Sequence, residues 1–225
     1  MADKYMADVD AESAELRLRM VNTQLRTADV HDATVQSAFL AVPRENFVQA
    51  SSPALAYLDR DAPAIGAFER KLLAPRTLAR LLQAAEPKRG ERVLDIGGGS
   101  GYSAAVLAAL GCEVVMLESD AGAVAAARQA LAGASGVAVV EGELTSGAPQ
   151  GPFDVILING AYGALPRELI AKLGDGGRLV GLDATSGSQH GVLIEKSGSS
   201  FSERSLFDAS ADVLPGLGRT PAFAF

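Results

Sequence analysis

Apolar residues recur at helical spacing near the start of the chain. Leu16, Met20, Val21 and Leu25 share one face, and Asp32 stands where it can cap a second helix carrying Val35, Phe39 and Val42. Pro43 stops that helix, because proline pushes the residue before it out of helical geometry. Residues 51–75 hold Pro53, Pro63, Gly66 and Pro75 and predict an ordered connection with turns. Another helix is expected over Arg76–Ala85, ahead of Pro87 and the Lys88-Arg89-Gly90 turn. From residue 91 the rhythm changes. Short β-branched runs at Arg92–Ile96, Glu113–Leu117, Val137–Val140, Asp154–Ile158 and Arg178–Leu182 alternate with helical stretches at Ser103–Leu110, Ala121–Leu131 and Pro166–Leu173. Such alternation predicts parallel βαβ units with right-handed crossovers. Gly142, Gly147, Pro149 and Gly151 make the approach to Asp154 mostly loop. Residues 190–207 read as two strands joined by Ser197-Gly198-Ser199-Ser200, an antiparallel hairpin at the edge of the sheet.

A length of 225 residues suits one large α/β domain or two small ones. The expected organisation is a helical and connecting segment, residues 1–75, packed on a core of residues 76–225. Hydrophobic residues make up 48% and charged residues 21%, the balance of a globular chain. A formal net charge of −7 argues against a nucleic-acid or anionic-membrane surface, which needs clustered Lys and Arg. The single cysteine, Cys112, excludes an intramolecular disulfide and fits a reducing compartment; it heads a buried strand and reads as structural. His31 and His190 are the only histidines, so no metal centre is expected. The longest apolar stretch, Ala104–Cys112, is far short of a membrane span. Met1-Ala-Asp-Lys-Tyr carries no signal-peptide pattern. A cytoplasmic protein is expected, monomeric or weakly self-associating.

The informative run is Val93-Leu94-Asp95-Ile96-Gly97-Gly98-Gly99-Ser100-Gly101-Tyr102-Ser103. An apolar strand leads into glycines and then into an Ala-rich helix, so backbone can approach a ligand at the carboxyl end of a sheet. The dinucleotide fingerprint fails because the sixth position from Gly97 is Tyr102; a P-loop fails for want of Gly-Lys-Ser/Thr. The hydrolase elbow fails because Tyr102 stands two past Ser100. What fits is an acid on the strand followed by Gly-x-Gly-x-Gly, which resembles motif I of the S-adenosylmethionine-dependent methyltransferases. Asp95 can hold the ammonium group of that donor, directly or through water. Glu118 ends the next strand, 17 residues after Gly101, where a carboxylate can accept from both ribose hydroxyls. Glu143, in Gly142-Glu143-Leu144, follows the third strand and can accept from the adenine amino group.

The segment before this motif extends the resemblance. Met20-Val21, Gln24-Leu25, Val42-Pro43-Arg44-Glu45-Asn46-Phe47-Val48, Ala56-Tyr57-Leu58-Asp59 and Ile65-Gly66 fall in the order seen in protein-L-isoaspartate O-methyltransferases. Pro152-Phe153-Asp154, Gly176-Gly177-Arg178-Leu179-Val180 and Val213-Leu214-Pro215 continue it, over roughly residues 18–216. The resemblance implies a Rossmann-like methyltransferase fold: a mostly parallel twisted sheet with helices on both faces, an antiparallel C-terminal hairpin and an N-terminal helical segment. It implies S-adenosyl-L-methionine as donor, S-adenosyl-L-homocysteine as product, and an isoaspartyl α-carboxylate in damaged protein as acceptor. The implied donor set is Asp95, Gly97, Gly99, Ser100, Gly101, Tyr102, Glu118, Ser119, Gly142, Glu143, Leu144 and Asn159.

One stretch departs from the family. Where its members carry a segment ending in Thr-Ile-Ser-Gln-Pro after the Ile-Gly pair, this chain reads Ala67-Phe68-Glu69-Arg70-Lys71-Leu72-Leu73-Ala74-Pro75, a stretch one residue longer than theirs if Pro75 matches the family proline. The serine position falls near Leu72 or Leu73, and leucine offers a buried carboxylate no hydrogen bond. Arg70 or Lys71 can bind an anionic substrate instead, or the pair forms a solvated charged turn, which is the expectation. Two alternatives follow from the departure: a methyltransferase with another acceptor, or a non-catalytic module that holds the donor.

Overall fold

The computed structural model describes residues 2–67 and 69–218. Helix α1 (Ala2–Met20) runs into a π-helical turn at Val21–Leu25 and a 3-10 turn at Arg26–Ala28. Helix α2 (Ala33–Ala41) begins as its cap predicts. The Asp32 carboxylate accepts from the backbone N–H of Thr34 at 2.7 Å and of Val35 at 3.1 Å, a cap worth about 1 kcal/mol. The connection holds a one-turn helix, α3 (Pro53–Ala56), and a short antiparallel ribbon of β1 (Ala62–Pro63) with β2 (Lys71–Leu72). That ribbon is invisible to a pattern search because each strand has two residues. Helix α4 (Pro75–Ala85) starts on a proline, which has no N–H to leave unpaired, and buries Leu78, Leu81, Leu82 and Ala85.

The core alternates as predicted: β3 (Arg92–Ile96), α5 (Tyr102–Ala109), β4 (Glu113–Glu118), α6 (Ala121–Ala130), β5 (Val137–Glu141), β6 (Phe153–Tyr162), α7 (Arg167–Ile170), β7 (Leu173–Asp183), β8 (His190–Ser197) and β9 (Ser200–Asp208). The seven strands lie in the order β5-β4-β3-β6-β7-β8-β9, parallel from β5 to β7 and antiparallel across the last two pairs. The helix expected over Pro166–Leu173 is a single turn. Leu173 instead pairs with Phe153 and opens β7, and Gly174, Gly176 and Gly177 behind it disfavour any helical continuation.

Side chains alternate across the sheet. Val93, Val114, Met116, Val155, Leu157 and Val180 pack under α4, α5, α6 and the N-terminal helices. Leu94, Ile96, Leu117, Ile156, Ile158 and Leu179 face the other way, covered by Leu169 of α7 and by Leu144, Leu214 and Leu217 from loops. Arg178 ties α4 to the sheet: its guanidinium donates to the carbonyls of Ala85 and Glu86, each at 2.9 Å, and to both oxygens of Glu91 at 2.8 Å. Among the described residues no helix is long and apolar enough to cross a membrane.

The chain order reverses between β3 and β6, so the connections leaving these neighbours diverge and open a crevice above their carboxyl ends. Two segments cross that end of the sheet. The β1–β2 ribbon is one; residues 209–217 are the other, where Leu214 donates its N–H to the carbonyl of Ala161 at 2.9 Å.

Candidate active site

Asp95 sits on β3 with its side chain fully buried. Ser103, the second residue of α5, donates to Oδ2 at 2.7 Å, and the Asn159 amide on β6 donates to Oδ1 and, at 3.1 Å, to Ser103 Oγ. Burial pushes the Asp95 carboxyl up to about 7, against the pull of those two hydrogen bonds. A buried acid with that titration is poised to ionise when a cation arrives beside it.

The glycine loop turns over this acid. Gly99 has φ +59, a conformation L side chains rarely adopt, and its N–H donates to Glu118 Oε2 at 3.0 Å. Glu118 ends β4, fully buried, with Oε1 accepting from the N–H of Ser119 at 2.7 Å and of Asp120 at 3.0 Å. Arg70 completes the set: its Nη2 donates to Glu118 Oε1 at 2.9 Å, and its side chain is only 9% exposed. The solvated charged turn expected at residues 70 and 71 is therefore half corrected. Arg70 is drawn in because Glu118 is a buried carboxylate within reach, whereas Lys71 stays in solvent on Asp212 at 2.9 Å.

The cradle is lined by this chain's own side chains. A Cβ on Gly97 would stand 2.9 Å from Leu214, and one on Gly99 would stand 2.9 Å from Leu72 and 3.3 Å from Arg70 Cγ. At the mouth lies a cleft of about 660 Å³ between Arg70, Lys71, Ser119, Asp120, Asp212 and Val213.

Other expected positions divide. Glu143 is exposed beyond β5, Gly142 donates its N–H to the Glu118 carbonyl at 3.0 Å, and Leu144 is buried in one cluster with Leu117. Ser119 is exposed at the mouth. The side chains of Ser100 and Tyr102 turn toward the N-terminal segment, which leaves their backbone to face the cradle. The Ser100 hydroxyl donates to the Phe47 carbonyl, and the Tyr102 ring packs between Phe39 and Phe47 with the Arg44 guanidinium 4.7 Å from its centre. They lock the N-terminal segment to the loop. Arg44 does the same for the altered stretch, donating to the carbonyls of Ala56 and Leu73, each at 2.9 Å. Leu72 and Leu73 are both buried. Cys112 is buried, with burial pushing its thiol up to about 11, far from a reactive thiolate. His31 is exposed and His190 half-buried. The apolar end, Arg219–Phe225, lies outside the described residues. Sequence reasoning did not single out Ser103, which bonds Asp95, although its place at the start of the helix after the loop is a readable signal. Leu214 gave no such signal, because it reaches Gly97 from the far end of the chain.

The sequence profile of the protein-L-isoaspartate(D-aspartate) O-methyltransferase family matches residues 17–209. The chain belongs to that family. It is similar to the protein-L-isoaspartate O-methyltransferase of Koribacter versatilis, 38% identical over 167 residues, covering 73% of this chain and 74% of that protein. The enzyme of the same name from Methanoregula boonei is 37% identical over 190 residues, covering 83% and 87%. A solved protein-L-isoaspartate O-methyltransferase superposes with a TM-score of 0.79 at 24% identity, covering 92% of this chain and 67% of that one. A Plasmodium falciparum beta-aspartate methyltransferase in complex with S-adenosyl-L-homocysteine gives 0.75 at 19% identity, covering 89% and 97%. Those two establish the shared fold.

Proposed function

We propose that this chain transfers a methyl group from S-adenosyl-L-methionine to the α-carboxylate of isoaspartyl residues, the step that starts repair of damaged protein. The observation that carries this reading is the pair of buried carboxylates, Asp95 and Glu118, on adjacent strand ends at either side of the glycine loop of a family member. Their chemistry fits the donor. Asp95, held by Ser103 and Asn159, would take the ammonium group; Glu118 would take the ribose diol; Glu143 and the backbone at Gly142–Leu144 would meet the adenine. Gly97 and Gly99 leave room for backbone approach once Leu214 and Arg70 turn aside.

When bound, the donor supplies an electrophilic methyl: a carboxylate oxygen forms the new C–O bond as the S–C bond breaks and its electron pair returns to sulfur. No proton has to move, since the acceptor is already ionised at neutral pH. The protein's work is therefore to position both partners and to exclude water. Its acidic surface, with sequence pI near 4.9, and its single buried thiol support a cytoplasmic enzyme acting on protein, as a monomer or weak self-associate and without nucleic acid.

Nothing favours a different acceptor. The test is methyl transfer to an isoaspartyl peptide, scored as base-labile methyl ester against the same peptide carrying normal aspartate. Transfer to the isoaspartyl form is expected. Donor binding without ester formation would leave the protein a donor-binding module and overturn the reading.

A further inference from the structure

The altered stretch puts a cation where the donor reading puts a sugar. Arg70 Nη2 and the backbone N–H groups of Ser119 and Asp120 crowd Oε1 of Glu118, the carboxylate assigned to the ribose hydroxyls, and the N–H of Gly99 takes Oε2. The Arg70 stem lies across Gly99, 3.3 Å from where a Cβ there would be. The ribbon fixes its backbone, because the Arg70 carbonyl accepts from Ala64 N–H at 2.9 Å. Arg70 Nε is buried and finds no hydrogen-bond partner among the described residues, so the guanidinium has unspent capacity. The same side chain lines the cleft at the mouth.

Resting on the methyltransferase reading above, we infer that Arg70 occupies the ribose position in the resting enzyme, yields Glu118 to the donor's diol, and then pairs with the acceptor's α-carboxylate. The physical logic is one of charge. A guanidinium displaced from its buried carboxylate is costly until it meets another anion, and a carboxylate matches its fork in two parallel hydrogen bonds. Donor arrival thus creates the demand that an anionic acceptor satisfies, and the donor binds first. Methylation makes the acceptor a neutral ester, which no longer holds the guanidinium. Arg70 then returns to Glu118 as the products leave.

The experiment compares the wild-type chain with Arg70→Gln and Arg70→Lys, each confirmed folded by circular dichroism. Calorimetry with S-adenosyl-L-methionine measures donor affinity on the protein alone, and methylation kinetics give KM for an isoaspartyl peptide at saturating donor. Removing the internal occupant should tighten donor binding about fivefold or more, as a conformational tax is lifted. The same Gln variant should raise peptide KM about tenfold or more, and Lys, keeping the charge without the fork, should fall between. Opposite movements of the two constants are the signature, since a merely structural role for Arg70 would weaken both. Unchanged or weaker donor binding in Arg70→Gln, or an unchanged peptide KM, would overturn the inference and leave the donor reading standing. Absence of donor binding in all three proteins would overturn both.

Discussion

The carbonyl oxygen of Gly66 lies 2.0 Å from the position a Cβ on Gly122 would take, so the segment leading to Arg70 rests backbone to backbone on the first turn of α6. Gly66 has φ +78, and its own Cβ would fall 2.5 Å from the Gly122 carbonyl oxygen. Neither residue tolerates a side chain without separating the two segments. Gly122→Ala should therefore lift the ribbon from the helix, with a loss of about 1–3 kcal/mol for overpacking. Urea unfolding measures the loss, and faster hydrogen exchange at Ala64, whose N–H is bonded to the Arg70 carbonyl, localises it. Native stability and exchange in the variant would mean that the ribbon is not docked there.

Asp95 links stability to pH. Its carboxyl rises from 3.8 to about 7 because burial disfavours the charge, so between those values the folded chain holds a proton that the unfolded chain has lost. Its contribution to stability is therefore fully present below pH 4 and is lost as pH rises to 7, by roughly 4 kcal/mol. Asp95→Asn removes that cost while keeping the shape. The variant should be the more stable protein at pH 8, with the advantage shrinking toward pH 4. A difference that does not vary with pH would show that Asp95 is not the titrating group.

The same acid predicts a proton signal on binding. An ammonium group beside Asp95 favours its ionised form, so donor binding at pH 7 should release a fraction of a proton. Calorimetry in two buffers of different ionisation enthalpy reads this directly. Equal heats in both buffers at pH 7 would remove Asp95 from contact with the donor's cation.

Glu118 and Arg70 should be strongly coupled. Glu118→Gln leaves a buried guanidinium without its anion, at a cost of about 3–5 kcal/mol. Paired with Arg70→Gln, the double variant should lose less than the sum of the single losses, by about 1–3 kcal/mol. Urea midpoints for the four proteins give the coupling. Simple additivity would mean that the two side chains do not share a buried contact in solution.

Much of the donor half of the site was legible because its determinants are local. Asp32 caps α2 through bonds to residues two and three positions away. Asp95, the glycines and Ser103 occupy one strand–turn–helix, and Glu118 ends the strand beside it. Side-chain alternation along β3 and β6 puts Asp95 and Asn159 on the same face, so their meeting follows once the two strands are neighbours.

The rest was decided by tertiary structure. Arg70 reaches Glu118 across 48 residues, and nothing in the local run distinguishes it from Lys71, which stays in solvent. Tyr102 carries the look of a loop residue but packs edge-on to Phe39, tilted on Phe47 and under Arg44, contacts that exist only after the N-terminal helices dock. Leu214 covers Gly97 only because residues 209–217 run back beside β6. Short-range hydrogen bonds and the period of burial write caps, strands and glycine turns into the sequence itself. Which cation finds a buried carboxylate, and which leucine closes a cradle, depends on segments far apart in the chain meeting at the carboxyl ends of one sheet.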